Sequence, residues 1–313
     1  MLTTLKTITS TLRNILKYGT PSYIICFGDS LGDNLLITTL CEALLQHRPN
    51  NIWVKCDHAF LFENNPGVKL VLPFNTLLST AVLNIFKAKT VYLKYTTYSP
   101  TTDRDEAPEK HIVLKMADAL GFKGELTNKP ALYLTPDEER KGYIASKQIV
   151  IATSTTGAKF PMKNKEWIVE RYQEIVDRFS DSYQFIQLGA KDDFPLGKVM
   201  DLRGKTTVRE SAAILKNSLM MITHVGFLMH LARAVDCRAV IIYGGREKPE
   251  QSGYACFENL YTDIGCSPCW LHNRCDFARR CMMQISTDMV AQAMLNQLGL
   301  YHVPLTADKL FNV

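Results

Sequence analysis

Three stretches of this chain carry residue types that can do chemistry. In the first, an apolar run, Tyr23-Ile24-Ile25-Cys26-Phe27, breaks at Gly28-Asp29-Ser30-Leu31-Gly32-Asp33-Asn34. Leucines then resume at helical spacing through Leu35, Leu36, Leu40, Leu44 and Leu45. The pattern reads as a buried parallel strand, a tight turn and a helix start. Open α/β sheets carry their chemistry at the carboxyl ends of strands. A helix N-terminus also favours an ionised carboxylate, which makes Asp33 a candidate general base. The alternative for Asp29 and Asp33 is a capping role alone.

The second stretch is spread over the later half. The loop Thr153-Ser154-Thr155-Thr156-Gly157-Ala158 follows an apolar strand and offers hydroxyls suited to phosphate oxygens, with Lys159, Lys163 and Lys165 adding positive charge. Gly226 opens a helix over 227–235 whose first amides could face an anion. Gly244-Gly245-Arg246-Glu247-Lys248-Pro249-Glu250-Gln251 closes the last core strand at its carboxyl end, where ligand contacts are expected, with Glu250 and Gln251 as candidates. Solvated lysines, a packing glycine and ordinary loop residues are the alternatives.

The third is Cys266-Ser267-Pro268-Cys269, followed by Cys275 and Cys281. Four thiolates can fill a tetrahedral zinc or iron site, and such a site would be structural because no coordination position stays open. Reduced thiols packed in a loop are the alternative, with disulfides behind it. Trp270, His272, Arg274, Arg279 and Arg280 make this segment basic, suited to an acidic acceptor or partner.

The elements that must position these residues alternate. Strands are expected at 51–56, 68–72 and 90–93 and a helix at 111–120 ending on Gly121. The stretch 128–140, with two prolines and no periodicity, reads as a link. Strands then recur at 148–152, 183–188, 219–223 and 238–243, separated by helices at 167–179, 208–218 and 227–235. This alternation implies two Rossmann-like, doubly wound α/β domains facing a cleft. The expected boundaries are 1–145, 146–298 and a tail, 299–313, packing back on the first domain.

A length of 313 residues suits two domains. The net charge of +5 fits an anionic substrate such as a nucleotide diphosphate, and no nucleic-acid-binding module is recognisable. Nine cysteines without an export signal favour a cytoplasmic protein with reduced or metal-bound thiols. Leu2, Leu5, Ile8, Leu12, Ile15 and Leu16 stand at helical spacing among Lys6, Arg13 and Lys17. Packing against the body of the protein is the first reading, and peripheral docking on the anionic inner membrane is the alternative.

Taken in order, several segments resemble glycosyltransferase family 9, the group of the ADP-heptose lipopolysaccharide heptosyltransferases. They are Gly32-Asp33, Lys165-Glu166-Trp167 at a helix start, Leu202-Arg203-Gly204-Lys205-Thr206 with Arg209-Glu210, Met229-His230-Leu231-Ala232, and Ile242-Tyr243-Gly244-Gly245. The resemblance implies a GT-B-type fold and inverting transfer of a sugar, heptose foremost, from an ADP-linked donor to a glycan or protein acceptor. It also implies that Asp33 is the base and that Lys165 contacts the donor phosphates. Gly32, Thr153, Ser154, Thr155, Thr156, Gly226, Met229, His230, Gly244 and Gly245 then fall on the donor side. For His230, flanked by Met229 and Leu231, a buried structural role is favoured over proton transfer. Such chemistry requires no metal. The autotransporter heptosyltransferases of this group are similar in carrying a four-cysteine iron finger, which would correspond to Cys266, Cys269, Cys275 and Cys281.

The chain departs from the family where an acidic residue often precedes the helix glycine: it has His224-Val225 there, then Gly226 and the bulky Phe227. A nucleotide-sugar epimerase of the same fold and a catalytically silent scaffold are the competing readings.

Overall fold

The computed structural model describes residues 2–47, 51–156, 158, 160–306 and 308–312. The chain divides into two compact units, one comprising 1–95, 113–133 and 309–313, the other 96–112 and 134–308.

The first unit runs through α1 (Leu2–Tyr18), β1 (Tyr23–Cys26), α2 (Leu31–His47), β2 (Ile52–Lys55), β3 (Leu70–Leu72), α3 (Thr80–Ile85) and β4 (Lys89–Tyr92). Its strands form one parallel sheet in the order β3-β2-β1-β4. Ile24, Ile25, Ile52, Trp53 and Val54 are fully buried. Such uninterrupted apolar strands are what a parallel sheet covered on both faces requires. The chain passes from β1 to β2 on one side and reaches β4 on the other. The carboxyl ends of β1 and β4 therefore flank a topological switch point, where ligands of such sheets bind.

Helix α1 packs through Ile8, Thr11 and Ile15. It lies beside α3, and the Ser79 backbone N–H donates to Thr11 Oγ1 at 3.3 Å. Leu2, Leu5, Leu12 and Leu16 stay exposed, so the apolar set that looked like one face is divided between core and solvent.

A small hairpin, β5 (Tyr98–Ser99) and β6 (Arg104–Asp105), belongs to the second unit. The chain then returns to the first unit with α4 (Ile112–Leu120) and β7 (Gly124–Asn128). Gly121 ends α4 at φ +70°, a conformation that suits glycine. The stretch 128–140 is not structureless. It holds α5 (Pro136–Lys141), closed by a capping box between Thr135 and Glu138. Arg209 grips the same glutamate with two guanidinium nitrogens, which ties α5 to the second unit.

That unit continues with β8 (Gln148–Ile151), α6 (Val169–Phe179), β9 (Gln184–Gln187), β10 (Met200–Asp201), α7 (Val208–Lys216), β11 (Met220–His224), α8 (Phe227–Ala234), β12 (Ala239–Gly244), α9 (Pro249–Ser252), β13 (Glu258–Tyr261), α10 (Arg280–Gln284) and α11 (Thr287–Gly299). Its sheet is parallel, in the order β10-β9-β8-β11-β12-β13, with a switch point at β8 and β11. Ile149, Ile151, Phe185, Ile222, Val240 and Ile242 meet Trp167, Tyr172 and Ile175 from one side of the core, and Val290 and Met294 of α11 complete it. The final strand, β14 (Asp308–Asn312), pairs with β7 in the first unit, where the Asn312 amide donates to the Phe122 carbonyl at 2.6 Å.

Candidate functional site

In the first unit the turn after β1 lies at the switch point. Ser30 precedes α2, and its hydroxyl oxygen accepts the Asp33 N–H at 3.4 Å. The buried Asn34 amide donates to the carbonyls of Gly28 at 2.9 Å and Ser30 at 2.8 Å, pinning the turn from within the helix. Gly32 is buried, and Asp33 stands half-buried in the first helical turn, where a helix end favours negative charge. Asp29 is engaged differently, its carboxylate lying 3.3 Å from His58 Nε2.

In the second unit three strand ends converge on one region. In the loop after β8, three hydroxyls have partners within the protein. Thr153 donates its hydroxyl to the Phe194 carbonyl at 2.9 Å, Ser154 to Asp193 at 3.0 Å and Thr155 to Glu166 at 2.7 Å. These protons therefore hold the loop against its neighbours, and only Thr156 is exposed in that run of hydroxyls. Gly157 and Lys159 lie outside the described residues. Lys165 does not open a helix: it closes a 3₁₀ turn, Lys163–Lys165, before α6 begins at Val169. Glu166 and Ile168 are extended, and the Glu166 carboxylate is used by the backbone and hydroxyl of Thr155.

Gly226 caps α8 in an extended conformation, and no side chain caps that helix. A Cβ at Gly226 would meet only the His224 ring, at 3.8 Å, so crowding does not dictate glycine here. Met229 and His230 face inward. The Tyr243 hydroxyl donates to Met229 Sδ at 3.5 Å, and His230 Nδ1 lies 2.7 Å from the Tyr254 hydroxyl. Both are buried in the core. Gly244, at φ +62°, would bring a Cβ within 2.6 Å of Met282 Sδ. At Gly245 a Cβ would collide with Ser267 Oγ and stand 2.8 Å from Cys281 Cβ. These two glycines let the cysteine segment close on the end of β12. Gln251 is likewise spent, accepting from Trp270 Nε1 at 3.1 Å and donating to the Pro108 carbonyl at 2.9 Å.

The residue that sequence reasoning passed over is Glu247. Its carboxylate is 4% exposed, 2.8 Å from Lys165 Nζ and 3.0 Å from Arg246 Nη1, and it accepts from Ser252 Oγ at 2.7 Å. Burial, the largest influence, would raise its pKa. The Lys165 and Arg246 charges with their hydrogen bonds outweigh it, and the carboxyl sits at about 2. Arg246 continues the network to Asp105 Oδ2 at 2.6 Å, which also meets His272 Nε2 at 2.7 Å. The available signal was an arginine and a glutamate directly after a wholly apolar strand.

All nine cysteines are unpaired. Cys266, Cys269, Cys275 and Cys281 are half-buried and near enough to interact: burial raises the Cys269 and Cys281 thiols, and the Cys266 charge acts on both in the same direction. The donor set suits a thiolate site, although among the described residues no three His, Cys, Asp or Glu side chains are gathered at metal-holding distance.

No protein-family model and no curated protein matches the sequence. Solved structures do match. A family 9 glycosyl transferase from Veillonella parvula DSM 2008 is similar over 88% of this chain and 97% of its own, with 15% identity and a TM-score of 0.61. The iron-containing dodecameric glycosyltransferase TibC from enterotoxigenic E. coli H10407 is similar over 91% and 78%, at 17% identity and a TM-score of 0.72. The E. coli ADP-heptose LPS heptosyltransferase II is similar over 90% and 100%, at 14% identity and a TM-score of 0.64. The fold is that of glycosyltransferase family 9.

Within this family 9 fold, the buried histidines near Lys165 have a measurable consequence. Burial, joined by the Lys165 charge, lowers the His224 imidazole to about 4 and the His230 imidazole to about 3. The folded protein therefore refuses protons that the unfolded chain accepts near 6.5, the ordinary imidazole value, and stability falls as pH drops through that window. The urea midpoint should fall between pH 7 and pH 4.5. His224→Leu should lessen the fall, since His224 Nδ1 has no hydrogen-bond partner to lose. Equal falls in both proteins would remove His224 as a cause.

Proposed function

We propose that the protein is an inverting glycosyltransferase that moves a sugar, heptose foremost, from an ADP-linked donor to a cell-envelope glycan or protein. The observation that carries this reading is Lys165. Its ammonium is fixed by Glu247 in the second unit, and its charge reaches His224 at the end of β11, next to the uncapped start of α8. A lysine and helix-end amides together suit a diphosphate. Two structures of this fold support the nucleotide: TibC in complex with ADP-D-beta-D-heptose, and E. coli WaaC with ADP.

The acceptor hydroxyl oxygen attacks the anomeric carbon from the face opposite the diphosphate, which inverts that centre. Asp33 takes the hydroxyl proton. Lys165 stabilises the negative charge that grows on the departing diphosphate. The chemistry asks for no metal.

A donor screen with ADP-, UDP- and GDP-sugars, read by thermal shift and nucleotide release, tests this. Asp33→Ala should lower turnover by about 10²–10⁴-fold with ADP affinity kept, the usual effect of losing a general base. Lys165→Ala should weaken ADP itself. Unchanged turnover in Asp33→Ala would remove its role, and epimerised donor as the product would replace transfer with epimerisation.

Cys266, Cys269, Cys275 and Cys281 would hold a structural zinc or iron, supplying cross-linking of the segment rather than reactivity. Protein purified without a histidine tag should contain near-stoichiometric metal that is lost in Cys269→Ser. Less than about a tenth of an equivalent, against the full occupancy expected of a closed four-thiolate site, would end this assignment.

The exposed leucines of α1 would seat the protein on the cytoplasmic face of the inner membrane. Residues 1–28 and 64–95 of the first unit contain Lys6, Arg13, Lys17, Lys69, Lys87, Lys89 and Lys94 and no carboxylate. A leucine stripe bordered by cations and lacking acids complements an anionic lipid surface. Full-length protein should sediment with phosphatidylglycerol vesicles and not with phosphatidylcholine alone, and Leu5→Glu/Leu16→Glu should stay in the supernatant. Sedimentation unaffected by the double substitution would exclude α1, and self-association of the wild type lost in the variant would assign the stripe to a second copy instead.

A further inference from the structure

The cation that would meet a diphosphate does not stand alone. Lys165 is 16% exposed, and its Nζ rests 2.8 Å from Glu247 Oε1. That oxygen also receives Arg246 Nη1 at 3.0 Å, while Oε2 accepts from Ser252 Oγ. Glu247 therefore cannot turn away from Lys165 without losing other partners. Arg246 is fixed in turn. Its Nη2 meets Asp105 at 2.6 Å, its Nε donates to the Leu271 carbonyl at 3.1 Å, and its guanidinium lies 4.9 Å from the centre of the Trp270 ring. The backbone is clamped at the same place: Cys269 N–H donates to the Gly245 carbonyl and Trp270 N–H to the Arg246 carbonyl.

Arg246 is 2% exposed, and these contacts occupy it. It is an anchor rather than a second phosphate ligand, which leaves Lys165 as the cation at the outer end of the series Asp105, Arg246, Glu247, Lys165. The carboxylate comes from the loop after β12, whereas position 224, at the end of the neighbouring strand β11, offers only an imidazole.

We propose that Glu247 is a positioning residue for Lys165, and that Arg246 is the link through which the cysteine-rich segment holds the donor-site cation in place. The proposal rests on the reading of the second unit as a nucleoside diphosphate site. It adds that Glu247 touches no substrate and acts on the donor only through Lys165. The cysteine-rich segment then matters to donor binding without contacting the donor, because Trp270 and the Leu271 carbonyl set the height and angle of Arg246.

Calorimetric titration of ADP, UDP and GDP into the full-length protein provides the test, using a double-mutant cycle of Glu247→Gln and Lys165→Met. Glu247→Gln keeps the size and hydrogen-bonding reach of the side chain and removes its charge. It should weaken the nucleotide that the wild type binds by about tenfold, within the range of coupling for contacting charged residues. In the Lys165→Met background the same change should have no further effect. A merely structural role would instead weaken binding by the same factor in both backgrounds, and that additivity overturns the proposal. Affinity unchanged in Glu247→Gln overturns it as well.

Should Glu247→Gln fail to fold, Ser252→Ala removes one hydrogen bond to Oε2 and carries the same expectation: a smaller loss that vanishes without Lys165. An additive loss there is again fatal. If the wild type binds none of the three diphosphates, the reading of the site itself has failed and the positioning role falls with it. That outcome is distinct from a wild type that binds while its variants behave additively.

Discussion

An ionised carboxylate removed from water costs several kcal/mol even after its surroundings relax, and it persists only where charges and hydrogen bonds replace the lost solvent. Glu247 meets that condition with Lys165 and Arg246 on one oxygen and Ser252 on the other. Much of the second unit is arranged around this requirement. Arg246 must reach both Glu247 and Asp105, which draws the β5–β6 hairpin toward the cysteine-rich segment. Asp103 reinforces the junction by accepting the backbone N–H groups of Asn273 and Arg274 at 2.7 and 2.8 Å. The absence of a Cβ at Gly244 and Gly245 is what lets Met282, Ser267 and Cys281 approach the strand end closely enough to complete the enclosure.

The two parallel sheets supply a different kind of constraint. Each reverses its direction of winding beside its first strand, and the chain beyond such a point is free of a covering crossover. In the first unit the exposed turn is stiffened by Asn34, whose amide bonds to Gly28 and Ser30 while Asp33 occupies the adjacent helical position. In the second, the same kind of location brings together the ends of β8 and β11, where the Lys165 charge acts on His224.

Residue types suited to ligands also serve the fold. The hydroxyls of Thr153, Ser154 and Thr155 have the chemistry to donate to phosphate, yet each is consumed in tying its loop to Phe194, Asp193 or Glu166. Met229 and His230 follow the same rule. Helical period places them on the face that packs under β12 and against Tyr254, so their polarity serves the core. The leucines of α1 show the converse. Their spacing is that of a buried face, but the first unit has room to cover only the side bearing Ile8, Thr11 and Ile15.

Local sequence is enough for the α/β class, the two parallel sheets, the strand-turn-helix around Asp33 and the helix that ends at Gly121. These follow from short-range properties: apolar runs of strand length, 3.6-residue periodicity, and glycine where φ must be positive. It also pointed to Lys165 and to the cysteine-rich segment. Tertiary structure alone decided that α5 belongs with α7, that β14 pairs with β7, and that Lys165 is held by Glu247 rather than by a residue at position 224. It likewise decided that Gly244 and Gly245 serve packing. Those outcomes depend on which side chains meet across long separations in the chain, such as Asp105 with Arg246 and Glu138 with Arg209. No local pattern encodes such meetings, because the energy of a buried ion pair is set by its partners and its dielectric surroundings, and both exist only once the chain has folded.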